Sequence, residues 1–501
     1  MTRKFQKNDI VQIRIEDVGN GGEGIGKADG YTVFVKNAVP GDLVEARIIK
    51  AKKNYGYGRI EEIKEPSKDR TQPKCPLAQK CGGCQLQFLS YPAQLEYKQN
   101  KVKNDLIRIG GFDKEMIEEL TEPIIGMENP LRYRNKAQFP VGLDEVTGKL
   151  SAGFYAPHSH RIIPCRDCLL GIEQNRDVLD VILEWMRENH VSAYDEKTGK
   201  GIVRHILIRY GFQSKEMLIC LVINKKKLPA ADKLISKLTE NDTLKRYLKG
   251  ITCSINTKNT NVILGDNMHV LWGNGYILDE IGGIRFRISP LSFYQVNPVQ
   301  TEKLYGKVLE YAGLTGNETV WDLYCGIGTI SLFLAKEAKK VYGVEIIPAA
   351  VEDAKRNAAL NGFENTEFFV GKAEDAAGKL YEDPEAKADV VVVDPPRKGC
   401  DQALLNTILK MAPERIVYVS CDPATLARDL KILCGKDYQL RKVQAIEQFS
   451  MTIHVESCVL LERVSSRKAD SYVKLNVKME EYYRIKDCAD AGKCGGVTEN
   501  E

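Results

Sequence analysis

Nowhere in the 501 residues is there an apolar run of membrane-spanning length. The opening Met1-Thr-Arg-Lys-Phe-Gln-Lys runs on into polar sequence without the apolar core of a signal peptide. A membrane protein and a secreted protein are both disfavoured, and a cytoplasmic location is the expectation. Strong charge of one sign is lacking too. The 72 Lys and Arg against 68 Asp and Glu leave a net charge of +4, so affinity for nucleic acid has to come from local patches. No internal repeat occurs. Without a secretion signal the fourteen cysteines are not expected to form a disulfide framework, which leaves reduced thiols, metal ligands or nucleophiles. What is present is a composition 43% hydrophobic and 28% charged, able to bury real cores, over a length that suits about two to four domains.

Residues 4–63 read as a small β-domain. Val11-Gln-Ile-Arg-Ile, Thr32-Val-Phe-Val and Leu43-Val-Glu-Ala-Arg-Ile-Ile alternate apolar and polar residues, the period of half-buried strands. Gly19-Asn-Gly-Gly-Glu-Gly-Ile-Gly and Val39-Pro-Gly-Asp punctuate them as turns. Five short strands predict a barrel of the oligonucleotide-binding kind. Arg47, Lys50, Lys52, Lys53 and Arg59 interleave with Tyr55 and Tyr57, cations for phosphates beside aromatic faces for bases. A solvated strand edge guarded by lysines is the competing interpretation.

Residues 64–110 comprise a linker, three cysteines and a polar helix. Residues 111–290 alternate strands (201–210, 217–224) and helices (from Ala230 towards Leu238) and are expected to form a central α+β domain that recognises substrate. From 291 to 465 strand–helix alternation becomes regular, with strands at Thr319–Leu323, Lys340–Val344, Thr366–Val370, Val390–Val393, Arg415–Val419 and Cys458–Leu461. That pattern predicts a doubly wound, Rossmann-like parallel sheet with a crevice at its carboxyl edge. Residues 466–501 form an appended polar tail. The fold class is therefore multidomain α/β.

The crevice has a sequence signature. Trp321-Asp-Leu-Tyr-Cys-Gly-Ile-Gly joins a strand to a helix through Gly326 and Gly328, where a ligand can approach the backbone. Roughly twenty residues on, Glu345 ends the next strand, placed to accept ribose hydroxyls. The loop lacks the third glycine of a dinucleotide fingerprint. Asp394-Pro-Pro-Arg-Lys-Gly follows the fourth strand. Taken together these sites resemble a class I methyltransferase that binds S-adenosylmethionine.

Val417-Tyr-Val-Ser-Cys-Asp-Pro sets Cys421 at the end of the fifth strand. A thiol at a strand end is by itself more often a small buried apolar group. Asp422-Pro423, however, makes a turn that exposes it beside the crevice, and Met451-Thr-Ile-His-Val-Glu supplies His454 and Glu456 two residues apart. A thiol nucleophile with an acid/base partner is what covalent methylation of a pyrimidine carbon needs.

At this point the chain resembles the bacterial 23S rRNA (uracil-5-)-methyltransferases almost end to end. The barrel resembles their TRAM domain. Arg132-Tyr-Arg-Asn-Lys-Ala-Gln-Phe and Phe293-Tyr-Gln-Val-Asn resemble family motifs, as do the glycine loop, Asp394-Pro-Pro-Arg-Lys-Gly, Ser420-Cys-Asp-Pro and His454-Val-Glu. The resemblance implies Cys421 as nucleophile and Glu456 as proton acceptor, with Gln295, Tyr324, Glu345 and Asp394 contacting S-adenosylmethionine. It implies 23S rRNA as partner, with transfer RNA the alternative substrate; the oligomeric state is left open, a monomer being the default. The tail, with Cys488 and Cys494, departs from the family pattern.

Cys75-x5-Cys81-x2-Cys84 wants a fourth ligand, for which Ile163-Pro-Cys165-Arg-Asp-Cys168 offers candidates. Four thiolates suit zinc or an iron–sulfur cluster, and spacing does not choose. The resemblance implies a [4Fe–4S] cluster on Cys75, Cys81, Cys84 and Cys165, with Cys168 a bystander. Two other functions compete. An exocyclic-amine methyltransferase would want an aromatic residue where Arg397 stands and would leave Cys421 without a task. An RNA-binding assembly factor with an inactive methyltransferase fold is opposed by intact Gly326, Gly328, Glu345, Cys421 and Glu456.

Overall fold

The structure is a computed structural model that describes residues 5–375, 386–435 and 437–464. The expected polar tail therefore lies outside the described residues.

Strands β1 (Ile10–Val18), β2 (Gly24–Ala28), β3 (Tyr31–Lys36), β4 (Leu43–Ala51) and β5 (Tyr55–Glu65) close into a barrel in the order β1-β2-β3-β5-β4. The alternation read in sequence places Ile13, Ile15, Val33, Val35, Val44 and Ile48 inside. Gly26 lets β1 and β2 cross closely, since a Cβ there would lie 2.2 Å from the Arg14 carbonyl oxygen. Helix α1 (Tyr91–Asp105) follows and runs into a π-helical turn at 106–110, which Gly111 ends in the left-handed region.

The short helix α2 (Lys114–Leu120) leads into β6 (Thr121–Ile125). This strand differs from expectation: it pairs in parallel with residues 443–446 at the far edge of the C-terminal sheet, so the segment from 111 does not belong wholly to the central domain. The central domain itself contains β7 (Lys136–Leu143), β8 (Leu150–Tyr155), β9 (Ile162–Pro164), β10 (Val203–Tyr210), β11 (Met217–Ile223), β12 (Leu248–Ile255) and β13 (Asn267–Gly273). They lie in one sheet ordered β13-β12-β11-β10-β7-β8-β9. Every residue of β10 and β11 is buried. Val178, Ile182 and Trp185 of α3 (Asn175–Glu188) and Leu234 and Leu238 of α4 (Ala231–Glu240) cover the sheet.

After the hairpin β14 (Ile277–Ile281) and β15 (Ile284–Ile288), α5 (Pro298–Ala312) opens the C-terminal domain. Its elements are β16 (Thr319–Leu323), α6 (Thr329–Leu334), β17 (Lys340–Glu345), α7 (Pro348–Leu360), β18 (Thr366–Val370), β19 (Val390–Val393), α8 (Gln402–Met411), β20 (Arg415–Ser420), α9 (Pro423–Leu433), β21 (Tyr438–Ile446) and β22 (Glu456–Arg463). The sheet runs β18-β17-β16-β19-β20-β22-β21-β6. Strands β16 to β20 are mutually parallel, while β22 pairs antiparallel with both β20 and β21, so the sheet is mixed at one end rather than parallel throughout. Successive side chains alternate between two cores. Val390 and Val392 face the core containing Leu304, Ile330 and Val351, whereas Val391 and Val393 face the core of Leu404, Ile408 and Leu430. Near-continuous apolar runs such as Val390-Val-Val-Val are what a sheet covered on both faces demands. Strand order reverses between β16 and β19, and the carboxyl ends of these two strands carry the glycine loop and Asp394.

Candidate active site

The glycine loop is shaped by three left-handed residues, Tyr324, Gly326 and Gly328, with φ of 78°, 56° and 84°. A Cβ at Gly326 would meet nothing within 4 Å. The glycine is required by backbone conformation there, and the space beside it is open to a ligand. The amides of Tyr324 and Cys325 both donate to the Val344 carbonyl at 3.0 Å, which ties the loop to β17. Glu345 is pinned at the end of that strand, accepting from the Gly326 amide at 3.2 Å and the Ile347 amide at 3.0 Å. Beneath the loop Asp322 accepts from the Ser331 hydroxyl at 2.5 Å, and burial drives its pKa up to about 7.

Asp394 follows β19 half-buried, and its carboxylate makes no hydrogen bond among the described residues. Burial raises its pKa, and the nearby Asp322 raises it further. The loop that carries it is fixed from below. The Cys400 amide and the Tyr418 hydroxyl donate to Asp429 at 2.8 and 2.6 Å, and Arg428 donates to the carbonyls of Lys398 and Cys400.

Cys421 lies in the turn between β20 and α9. The Asp422 carboxylate caps α9 by accepting from the amides of Ala424 and Thr425 at 3.0 and 3.2 Å. The Asp422 amide donates to the Ser420 hydroxyl at 3.1 Å, and the Thr425 hydroxyl donates to the Arg397 carbonyl at 3.2 Å. The thiol is half-buried. Burial, then the charges of Glu456 and Asp394, push its pKa up to about 12, while Arg397 acts the other way. Those electrostatic contacts place Cys421, Asp394, Glu456 and Arg397 in one site.

Glu456 opens β22, is 3% exposed, and has one carboxylate oxygen, Oε2, without a partner. Burial raises its pKa, with Asp394 adding to the shift and Arg397 opposing it. An unsatisfied buried carboxylate beside a thiol is a costly arrangement that an arriving proton donor relieves. His454 falls outside the strand. Its Nε2 faces the Arg397 guanidinium at 3.5 Å, and burial together with Arg397 lowers its pKa to about 4. Phe449 stacks edge-on against it at 6.2 Å.

Gln295 is 7% exposed. The Asn135 side chain donates to its carbonyl at 2.9 Å and the Asn135 amide donates to the Val296 carbonyl at 2.9 Å, so the two sequence motifs around positions 132–139 and 293–297 lock together. Phe293 stands 70% exposed beside them.

A cavity of about 600 Å³ outside this cleft is lined by Cys75, Cys81, Cys84, Cys165 and Cys168. All five are free thiols, and the Gly83 amide donates to the Cys81 sulfur at 3.4 Å. No three His, Cys, Asp or Glu side chains among the described residues are grouped to hold a single metal ion. Cys168, the expected bystander, lines the same cavity as the other four. On the barrel, Arg47 and Arg59 are both paired with Glu61, at 2.9 and 2.7 Å, leaving Lys50, Lys52 and Lys53 exposed. Phe34, which the sequence did not single out, lies 5.8 Å from Tyr55 and 5.6 Å from Tyr57. Arg397 and Lys98 were also missed as partners of the site. The Lys98 ammonium, on polar helix α1, is buried against Glu447 at 2.7 Å, and no local sequence feature marks a pair so distant in the chain.

Residues 280–464 match the family model described as tRNA (Uracil-5-)-methyltransferase, and residues 4–60 match that of the TRAM domain. A Clostridium tetani protein named as an uncharacterized RNA methyltransferase is 50% identical over 466 residues, which is 92% of this chain and 98% of its own length. A Halalkalibacterium halodurans protein of the same description is 50% identical over 456 residues, 91% of this chain and 97% of its own. Among solved structures, the Pyrococcus abyssi tRNA (uracil-54, C5)-methyltransferase bound to S-adenosyl-L-homocysteine superposes with a TM-score of 0.71 at 27% identity, covering 90% of this chain and 99% of that one.

Proposed function

The chain belongs to the S-adenosylmethionine-dependent RNA uracil-5-methyltransferases that carry a TRAM domain, and from that premise we propose that it methylates uridine in 23S ribosomal RNA through a covalent adduct of Cys421. The observation that carries the mechanism is the shared site of Cys421, Glu456 and Asp394, joined to the glycine loop through the neighbouring strands β16 and β19.

The cosubstrate fits the residues present. Gly326 leaves open space, Glu345 is held at the strand end for a ribose, Tyr324 belongs to the loop itself, and Asp394 has an uncommitted carboxylate. Bound there, S-adenosylmethionine supplies an electrophilic methyl group. Carbon 5 of uracil is too weak a nucleophile to take that methyl unaided. The half-buried Cys421 thiol gives its proton to solvent and adds as the thiolate to carbon 6, which turns the ring into an enolate nucleophilic at carbon 5. After methyl transfer, Glu456 Oε2 accepts the proton from carbon 5, and the bond between sulfur and carbon 6 breaks to return the thiolate. The low exposure of Glu456 keeps water from the proton-accepting oxygen. The His454 imidazole faces a cation with Nε2, which suits an acceptor orienting Arg397 better than a base for substrate.

The same reading assigns Cys75, Cys81, Cys84 and Cys165 to a [4Fe–4S] cluster. These four thiols line one cavity, and as thiolates they would hold the cluster or, as the alternative, zinc. A donated amide at the Cys81 sulfur is the kind of contact that tunes such a cluster. Transfer RNA is the second substrate reading, favoured by the likeness to the Pyrococcus abyssi enzyme. Mapping 5-methyluridine in 23S rRNA and transfer RNA from cells lacking the protein distinguishes the two. Loss confined to 23S rRNA is the expected result, and loss confined to transfer RNA transfers the assignment to the second reading.

A further inference from the structure

A separate cavity of about 720 Å³ opens in the central domain, between the β7–β9 edge and the loop that follows α3. Its floor contains two consecutive residues of β10, Arg204 and His205, which are 5% and 6% exposed. Arg204 Nε and His205 Nδ1 are both buried without a hydrogen-bond partner. Buried polar groups are nearly always satisfied, so two unpartnered donors or acceptors side by side in one cavity call for a ligand. Arg204 is otherwise firmly held: its Nη1 donates to the carbonyls of Asn256 and Lys258 at 2.9 and 2.8 Å. Burial, reinforced by Arg204, lowers the His205 pKa to about 4, so the imidazole is neutral at physiological pH.

The walls are aromatic. Tyr194 lies under the Arg204 guanidinium with 4.4 Å to its ring centroid, and Tyr155 and His160 pair at 5.3 Å. Glu196 reaches both, accepting from the Tyr155 hydroxyl at 3.3 Å and contacting His160 Nδ1. Around the mouth Arg161, Arg187 and Lys197 are exposed cations, interspersed with the exposed carboxylates of Glu145 and Asp195. Flat aromatic faces, in-plane polar groups at the floor and cations at the rim are the combination that holds an unstacked nucleotide. Location agrees with this. Strand β7 begins next to Asn135, which is bonded to Gln295 at the cleft, and its far end, Val141 to Leu143, lines the cavity. At ~3.4 Å per residue the two sites lie roughly 20 Å apart along the strand, a span of a few nucleotides.

We propose that this cavity binds one unpaired nucleotide of the substrate RNA, away from the methylated uridine, and so sets which uridine reaches Cys421. The inference rests on RNA being the substrate. The test uses the full-length chain and an RNA hairpin whose loop uridine the wild-type enzyme methylates, together with versions abasic at each other loop position. Affinity is read by fluorescence anisotropy, independently of turnover. In wild type one abasic position weakens binding and raises KM about tenfold, the size of a lost base–aromatic stack, with kcat at saturating RNA unchanged. The Tyr194→Leu variant shows the same loss on intact RNA and no further loss on that abasic RNA. Glu196→Gln, on the same surface loop, is the second variant, and it should alter which loop base is preferred. If both variants bind every RNA as wild type does, the proposal is overturned. If wild type binds the RNA but methylates no uridine, the functional reading fails, while the anisotropy comparison still decides the cavity.

Discussion

Cys421 is subject to opposing influences from its neighbours. Burial beside Glu456 and Asp394 holds the thiol protonated at neutral pH, and the Arg397 guanidinium partly offsets this. In the proposed mechanism attack on uracil needs the thiolate and the later step needs Glu456 ionised; both groups have raised pKa values, so each active form becomes more populated as pH rises. The rate of methyl transfer at saturating RNA should therefore climb from pH 6 through pH 9 rather than peak near neutrality. Arg397→Gln removes the influence that lowers both pKa values, so its pH profile should shift to higher pH. A profile unmoved by that substitution would mean that Arg397 does not act on the thiol. At this scale the candidate nucleophile and the candidate base stand out in the sequence because Ser420-Cys-Asp-Pro and His454-Val-Glu are contiguous. Arg397 was not, since its importance comes from a loop folding back over His454 and no spacing encodes that contact.

At the scale of elements, α1 and the segment 447–456 behave as one piece. The Lys98 ammonium is fully buried against Glu447 and also donates to the Phe449 carbonyl at 3.0 Å. Gln94, one turn earlier, accepts from the Met451 amide at 3.1 Å, and the amides of Gln85 and Leu86, directly after Cys84, donate to the Met451 carbonyl. The cysteine loop, α1 and the segment leading to Glu456 thus share one set of bonds. Removing one member of a buried ion pair leaves the other uncompensated, so Lys98→Met should lower stability by about 3–5 kcal/mol. Lys98→Met combined with Glu447→Gln should recover much of that loss in chemical denaturation, because no lone charge then remains. A single variant as stable as wild type would show that the pair is not buried in solution. The strands of both sheets were readable from apolar period and from runs such as Val390-Val-Val-Val. Strand β6 was not, because Thr121-Glu-Pro-Ile-Ile is short and contains proline, and its partner strand lies more than three hundred residues away.

For the whole molecule, the three-part architecture of barrel, central sheet and mixed C-terminal sheet places an aromatic barrel face, a cysteine cavity and the proposed nucleophile on one chain. The cysteine cavity has a direct chemical test. Protein purified without oxygen should be brown and contain iron with acid-labile sulfide, and substituting Cys84 by Ser should remove both. Stoichiometric zinc without sulfide would reverse the assignment. Composition announced several domains and made RNA affinity a matter of patches, and the barrel shows how: two of its five expected cations are taken up by Glu61, while Phe34 joins Tyr55 and Tyr57. The catalytic account as a whole depends on an adduct. Glu456→Gln enzyme, given S-adenosylmethionine with a labelled methyl group and uridine-containing RNA, should accumulate methylated RNA bound to protein that survives denaturing electrophoresis. The same experiment in a Cys421→Ala background should show neither adduct nor methylation. If Glu456→Gln turns over normally while His454→Asn traps the complex, the base is His454, and if no Cys421-dependent adduct forms in any variant or in wild type, the covalent route is contradicted.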